Sequence, residues 1–230
     1  MGKIMCDKKI TAMDSLKQNW LSWCVILLCI FIISYPNVTI GYFTFFIFIF
    51  LAYFIHYSSH TNNNIFTTIH RYHHENNNFF SHFSQIILEL SVSSFLIPFY
   101  YLGYSYVFNI WVVLLFTFFY TTIHNINYGQ LHVNDVHSEH HNNMFCNIGP
   151  DICDIIFSTK SEKNVDVENT THYIPNVIIG TILVLLLKYA CQNEDTRNNL
   201  IYIYIVFIIL VYIFLISSSL FLFFNKKNQT

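Results

Sequence analysis

The chain has 230 residues, of which 54% are hydrophobic, 19% aromatic and only 10% charged, and its formal net charge is −2. This composition is too apolar for an ordinary soluble domain of that length, so a lipid bilayer is the expected solvent. The absence of a basic excess argues against a nucleic-acid partner. The six cysteines are scattered without a CxxC pair, which indicates reduced thiols.

Long stretches without Asp, Glu, Lys or Arg define the predicted membrane segments. Unpaired backbone groups are costly in hydrocarbon, so these apolar runs are expected to be helices, paired as three out-and-back hairpins. The turns fall at Tyr35-Pro36-Asn37, around Gly103, and in the polar stretch before Leu200. The sequence therefore predicts an all-α membrane bundle of four to six transmembrane helices, formed by Trp20–Ser34, Ile40–Ile55, Ile86–Leu102, Tyr106–Ile123, Val177–Ala190 and Leu200–Phe224.

The hairpin pairing also predicts which segments share one side of the membrane, namely residues 1–19, 56–85, 124–176 and 225–230. Nine of the 11 Lys and Arg residues lie on that side, so the positive-inside rule makes it cytosolic. The predicted organisation is a polar cytosolic N-terminus (1–19), a multi-pass membrane domain (20–224) with a cytosolic cap (56–85 and 124–176), and a polar tail (225–230). Lys226-Lys227 near the C-terminus favours the endoplasmic reticulum or an equivalent membrane.

The histidines are concentrated in the predicted cap. Most of them form three motifs, here called the histidine boxes: His56-x-x-x-His60, His70-x-x-His73-His74 and His137-x-x-His140-His141. Positions i, i+3 and i+4 share one face of a helix, so each box can direct its imidazoles to one point. Chance would give roughly 0.03 triples with the i, i+3, i+4 spacing, against the two that occur.

Eight box histidines exceed the four ligands of one tetrahedral zinc site, which indicates two metal ions. Imidazole suits iron, zinc, copper and nickel alike, so the spacing leaves the metal open. Soluble carboxylate-bridged di-iron bundles use Glu-x-x-His motifs, and this sequence contains none. The sequence therefore predicts a dinuclear site of a different kind.

The boxes, interleaved with membrane hairpins, resemble those of the sterol desaturase and fatty acid hydroxylase superfamily over roughly residues 45–160. The resemblance continues after the last box, where two segments are similar to the family's Asn-x-Gly and Trp-Asp-x-x-Phe-Gly-Thr, namely Asn147-x-Gly149 and Asp154-x-x-Phe157-x-Thr159.

Two departures from the family pattern, Cys153 for Trp and Ser158 for Gly, affect cap packing more than metal binding. His124 occupies the place of a further family histidine, after the membrane run that precedes the last box. The resemblance therefore implies nine metal ligands: His56, His60, His70, His73, His74, His124, His137, His140 and His141.

The resemblance also implies an oxidoreductase with two ferrous ions and O2 as co-substrate. Such an enzyme oxidises an unactivated C–H bond of a fatty acyl chain or sterol in lipid biosynthesis, giving an alcohol or, after a second hydrogen abstraction, an alkene. The chain has no flavin fingerprint and no His-Pro pair of a fused b-type cytochrome. Electrons are therefore expected from an external donor, a b-type cytochrome or similar reductase.

Two other functions stay open at this stage: a membrane metal transporter, and a membrane protein that binds metal without catalysis. A transporter would place ionisable ligands near the bilayer midplane, where these segments have almost none.

Several residues near the boxes also have two interpretations. His82 and His132 are expected either to bind metal or to hydrogen-bond a ligand. The carboxylates of Glu75, Asp135 and Glu139 are expected either to orient imidazoles or to be solvated. His172 and Glu89 are expected at the membrane interface.

Overall fold

The computed structural model describes residues 10–61, 64–96, 107–161 and 166–227, and within these ranges the chain is helical without any strand. Three short segments have other helical forms: Ser91–Phe95 and Thr171–Tyr173 are 3₁₀, and Ile123–Tyr128 is a π-helix. The α-helices of the described ranges are α1 (Ala12–Gln18), α2 (Trp20–Ser34), α3 (Val38–Thr61), α4 (Ile65–Glu75), α5 (Phe79–Leu90), α6 (Ile110–Thr122), α7 (Val136–Asn142), α8 (Asp151–Phe157), α9 (Ile174–Ala190) and α10 (Glu194–Lys227).

The first predicted hairpin is present as α2 and α3, which turn at Tyr35 and Pro36. The two helices approach closely near the turn, where a Cβ atom on Gly41 would lie 2.3 Å from Ser34 Cβ. Small residues allow this kind of backbone approach in membrane helices. Ile30 and Ile33 are fully buried beneath it, in a core that continues into α6 and α9.

Among the residues that the structure describes, four helical stretches are long and apolar enough to span a bilayer: Val38–Thr61, Ile110–Tyr128, Thr171–Ala190 and Glu194–Phe223. The pair α1 and α2, bent by 80°, adds a fifth span if it crosses as one broken segment. These numbers fall within the predicted four to six. Large apolar side chains such as Leu186 and Ile203 point outward on α9 and α10, as expected for helices whose outer faces contact lipid.

Of the membrane segment predicted over Ile86–Leu102, the structure describes residues 86–96, and these are helical. Helix α5 begins earlier, at Phe79, and after Leu90 the chain changes to a 3₁₀ segment. One face of α5 is polar and buried, with Gln85 and Glu89 both less than 7% exposed. This helix therefore packs against the cap and does not lie in lipid on all sides. The turn predicted around Gly103 lies outside the described residues.

The segment after the last box forms a loop that Asp154 organises. The Asp154 carboxylate accepts hydrogen bonds from the backbone N–H groups of Ile148 and Gly149 (2.9 and 2.7 Å) and from the hydroxyl of Thr159 (2.7 Å). Burial raises the pKa of Asp154 to about 7, with these hydrogen bonds acting in the opposite direction. The motif that resembles the family pattern thus fixes the backbone next to the histidines.

The backbone conformation of Ser158 explains why the family pattern has glycine at this position. Ser158 ends α8 with φ 58° and ψ 36°, in the left-handed region. This conformation costs a residue with a Cβ roughly 1–2 kcal/mol, and glycine avoids most of that cost.

We therefore predict that Ser158→Gly raises the stability of the detergent-solubilised protein by about 1 kcal/mol. Thermal unfolding measures the effect. The matched control is Ser217→Gly, because Ser217 is also exposed but lies in the regular helix α10. A Ser158→Gly protein that melts at or below the wild-type temperature would contradict the strain argument.

Candidate metal centre

Four elements bring the predicted ligands to one place. The last turns of α3 carry His56 and His60, both buried, and α4 and α7 carry the other two boxes. His124 lies in the π-helical segment Ile123–Tyr128, which continues α6. A π-turn alters the helical register and is frequent at functional sites. The boxes were each predicted to lie on one helical face, and the structure brings all of them together.

The first group contains five histidines whose nitrogens all lie within 4.8 Å of one another: His56, His60, His70, His74 and His140. Within it, the Nε2 atom of His70 is 3.2 Å from Nε2 of His60 and 3.2 Å from Nε2 of His74. Nε2 of His56 is 3.1 Å from Nε2 of His140. Three separate helices therefore direct imidazole nitrogens into the same small volume.

The second group contains His73, His137 and His141, again with nitrogens within 4.8 Å of one another. His124 adjoins it, with its ring centroid 4.5 Å from that of His137. The Nε2 atom of His124 is buried and has no hydrogen-bond partner. The two groups touch, because the rings of His74 and His141 stack with centroids 4.2 Å apart.

Hydrogen bonds made by Nδ1 decide which of the two ring nitrogens carries the proton. Nδ1 of His56 lies 2.8 Å from the carbonyl oxygen of Ile148, and Nδ1 of His140 lies 2.7 Å from that of Cys146. A carbonyl oxygen only accepts, so both Nδ1 atoms donate and the neutral rings keep a lone pair on Nε2.

The same reasoning applies to two histidines of α4. Ser81 donates its hydroxyl proton to the carbonyl oxygen of Asn76, so its oxygen accepts from Nδ1 of His73 at 3.3 Å. Gln85 donates its amide to Glu89, so its Oε1 faces Nδ1 of His70 at 3.1 Å. The Nε2 lone pairs of His56 and His140, 3.1 Å apart, repel unless a cation lies between them. The donor set therefore fits metal ions.

Burial keeps these imidazoles neutral. Desolvation, reinforced by neighbouring imidazoles, lowers the pKa of His73 to about 2 and that of His141 to about 4. Desolvation likewise lowers the pKa of His140 to about 3, and the pKa values of His70 and His137 fall well below the usual value. Neutral imidazole is the form that binds metal, so the protein presents its donors ready for ligation.

Sequence reasoning missed the carboxylate that contacts the centre. Glu89, expected at the membrane interface, is only 6% exposed and pairs with Nδ1 of His124. Its position in an apolar run was the available signal, because an ionisable group there requires a partner. Glu75 and Asp135, considered as orienting carboxylates, are exposed, and neither carboxylate bonds a box histidine within the described residues.

The remaining histidines lie outside the two groups. His82 bonds Asn77 Oδ1 at 2.7 Å, with its ring 5.3 Å from that of His73. His132 is exposed and has φ 47°. His172, expected at the interface, is partly buried and lies within hydrogen-bonding distance of Asn127 and Glu168, away from both groups.

Two large cavities of opposite character reach the histidines. An apolar cavity of about 460 Å³ lies among α3, α5, α6 and α10, and its lining includes Ala52, Phe116, His56 and His70. A polar cavity of about 480 Å³ is lined by histidines of the second group together with asparagines and Glu75. A smaller cavity of about 110 Å³ reaches His56, His124 and His137 from the side of α1 and α2.

Comparison with known proteins gives one finding that covers just over half of the chain. The model of the fatty acid hydroxylase family matches residues 41–159. No curated protein and no solved structure matches this chain. The matched range begins in α3 and ends at Thr159, so it contains all nine histidines that the resemblance implies as ligands.

We predict that the purified protein carries two metal ions per chain, and that His140→Ala loses at least one because His140 is a fully buried member of the first group. Elemental analysis and anomalous scattering measure the number and positions of the ions. His132→Asn is the matched control, since asparagine tolerates the positive φ and only an exposed imidazole is removed. One metal or none in wild-type protein, purified anaerobically with iron supplied, would exclude the dinuclear site.

Proposed function

The chain belongs to the fatty acid hydroxylase family, and we propose that it is a membrane-bound lipid hydroxylase that uses two iron ions and O2. The proposed reaction converts R–H, O2, two electrons and two protons into R–OH and water. The single observation that carries the proposal is the convergence of box imidazoles next to an apolar cavity, with Nδ1 of four of them bonded to an acceptor so that Nε2 is free to bind metal. Desaturation by the same centre is the other outcome consistent with the resemblance.

Iron pairs of this family supply the O2-dependent oxidation of an unactivated C–H bond. The proposed ligands are the five histidines of the first group and, for the second, His73, His124, His137 and His141. The remaining residues orient these ligands. The carbonyl groups of Ile148 and Cys146 hold His56 and His140, and Asp154 holds the loop that carries Ile148.

The apolar cavity supports a lipid as the substrate. Its volume of about 460 Å³ lies within the usual range of small-molecule sites. Its lining combines apolar side chains of α3, α5 and α6 with His56 and His70 of the first group. A hydrocarbon chain placed there would lie next to the proposed metal centre.

The polar cavity supports a separate route for solvent and electrons. It adjoins His73, His137 and His141 and is lined by amide and carboxylate side chains. We propose that this face is cytosolic, as the Lys and Arg distribution favours. An external b-type cytochrome or similar reductase would deliver electrons on this side. We also propose that the protein resides in the endoplasmic reticulum or an equivalent membrane and acts in lipid biosynthesis.

The transporter alternative has less support. A transporter requires ligands along a path through the membrane, near the midplane. Here His56 and His60 lie in the last turns of the spanning helix α3, and the other two boxes lie on α4 and α7, which are not among the candidate spans.

We predict that Ala52→Phe lowers lipid product about 10- to 100-fold without changing metal content, because positioning errors near a reacting group cost factors of this size. Ala52 lies one helical turn before His56 and lines the apolar cavity. Mass spectrometry of lipid extracts from expressing cells measures the product.

Two further variants serve as controls, one expected to lose the product and one expected to keep it. His140→Ala should abolish product while membrane insertion persists, because the apolar helices drive insertion. Ala190→Phe should leave product unchanged, because Ala190 lies in a membrane helix but lines none of the three cavities. Full product from Ala52→Phe would show that the lipid does not occupy this cavity, and full product from His140→Ala would remove the main support for the hydroxylase.

The orientation gives a further prediction. In sealed microsomes with native cysteines replaced by alanine, a membrane-impermeant maleimide should label Phe145→Cys at once and Gln192→Cys only after detergent. Phe145 is 57% exposed in the cap, and Gln192 is exposed in the turn between α9 and α10. The reverse labelling order would place the histidines on the luminal side.

A further inference from the structure

Glu89 is a carboxylate enclosed by hydrogen-bond donors. It lies on the buried face of α5 and is 6% exposed. Oε1 pairs with Nδ1 of His124 and accepts from Nε2 of Gln85 at 2.8 Å, while Oε2 accepts from Nδ2 of Asn125 at 2.6 Å. Every contact in this set brings an N–H group to an oxygen, which is the bonding pattern of an ionised carboxylate.

The bond to Glu89 determines what His124 presents to the centre. Nδ1 of His124 donates to the carboxylate, so Nε2 keeps its lone pair. That Nε2 atom is buried without a partner, and its ring lies 4.5 Å from His137 and 5.8 Å from His73. A buried nitrogen with an unused lone pair lies next to the three nitrogens of the second group. His124 is therefore placed to act as a fourth ligand to a metal bound there.

The contacts of Glu89 also extend to the first group. Gln85 bridges Glu89 and His70, because its amide donates to the carboxylate and its Oε1 accepts from Nδ1 of His70 at 3.1 Å. One α5 carboxylate therefore contacts a histidine of the second group directly and a histidine of the first group through a single amide.

The charge on Glu89 distinguishes this contact from the other outer contacts of the centre. Nδ1 of His56, His140 and His73 bonds a carbonyl or a hydroxyl, all of which are neutral. Two divalent ions among neutral imidazoles would leave a large positive charge in a desolvated site. A carboxylate on His124 offsets part of that charge and increases the basicity of the ring.

We propose that Glu89 is a positioning residue that makes His124 a strong ligand of the second metal. The proposal rests on the proposed dinuclear centre. It concerns only the affinity and ligand field of one of the two ions. Substitution of Glu89 should therefore weaken the binding of one ion only, whereas a general loss of structure would weaken the binding of both.

The test titrates the metal-free, detergent-solubilised full-length chain with Co²⁺ against a competing chelator and records the visible absorption of the bound ion. Wild type should bind two equivalents. Glu89→Gln, which keeps the shape and removes the charge, should bind one equivalent as wild type does and the other about 10- to 100-fold more weakly, with altered absorption for that equivalent alone. The control Glu75→Gln removes an exposed carboxylate that lines the polar cavity and should match wild type.

Glu89→Asp retains the charge on a shorter side chain and should fall between wild type and Glu89→Gln. If Glu89→Gln does not yield folded protein, wild-type affinity and spectrum in Glu89→Asp would overturn the proposal. Two equivalents at wild-type affinity in Glu89→Gln would also overturn it, as would equal weakening of both equivalents, which indicates a structural role. A wild-type chain that binds no Co²⁺ would instead refute the dinuclear centre itself.

Discussion

The mutual repulsion of imidazole lone pairs is the constraint on which the rest of this structure depends. The Nε2 atoms of His56 and His140 lie 3.1 Å apart, and both rings carry their proton on Nδ1, which donates to a carbonyl oxygen. Neutral rings arranged in this way gain nothing from one another. Such an arrangement is stable only if the surrounding protein holds the rings in place and a cation occupies the space between them.

The segment that follows the last box holds rings from two different boxes in place. Ile148 and Cys146 supply carbonyl groups to His56 and His140 from a loop that has no regular secondary structure. That loop keeps its shape because Asp154 binds two of its backbone N–H groups. The family pattern after the last box is therefore explained by the orientation of ligands, although none of its residues is itself a candidate ligand.

Much of the site could be predicted from the sequence because helical spacing determines which side chains share a face. The spacing of the boxes predicted convergence, and the apolar runs predicted the α2–α3 hairpin and the membrane-spanning helices. Spacing contains no information on how two helices are rotated against each other. The division into a group of five and a group of three, with His73 separated from His70 and His74 of its own box, therefore emerged only from the structure.

The role of α5 was missed for a related reason. Its apolar residues suggested a membrane segment, whereas its buried polar residues recur as Ser81, Gln85 and Glu89, one helical turn apart. That stripe faces the histidines, and the opposite side of the helix carries Phe79 and Phe83, which are exposed. A period of four in the polar residues was the signal, but the prediction divided it, with Ser81 and Gln85 in the cap (56–85) and Glu89 in the membrane segment Ile86–Leu102.

The same stripe separates the two kinds of environment at the centre. Gln85 and Glu89 line the apolar cavity next to His56 and His70, whereas Asn125, which also bonds Glu89, lines the polar cavity next to His73 and His141. The carboxylate thus lies where hydrocarbon surroundings end and hydrated surroundings begin. A centre that brings a lipid and water-borne reactants together requires a boundary of this kind. A buried charge is stable there because donors from α5 and from the segment after α6 saturate it.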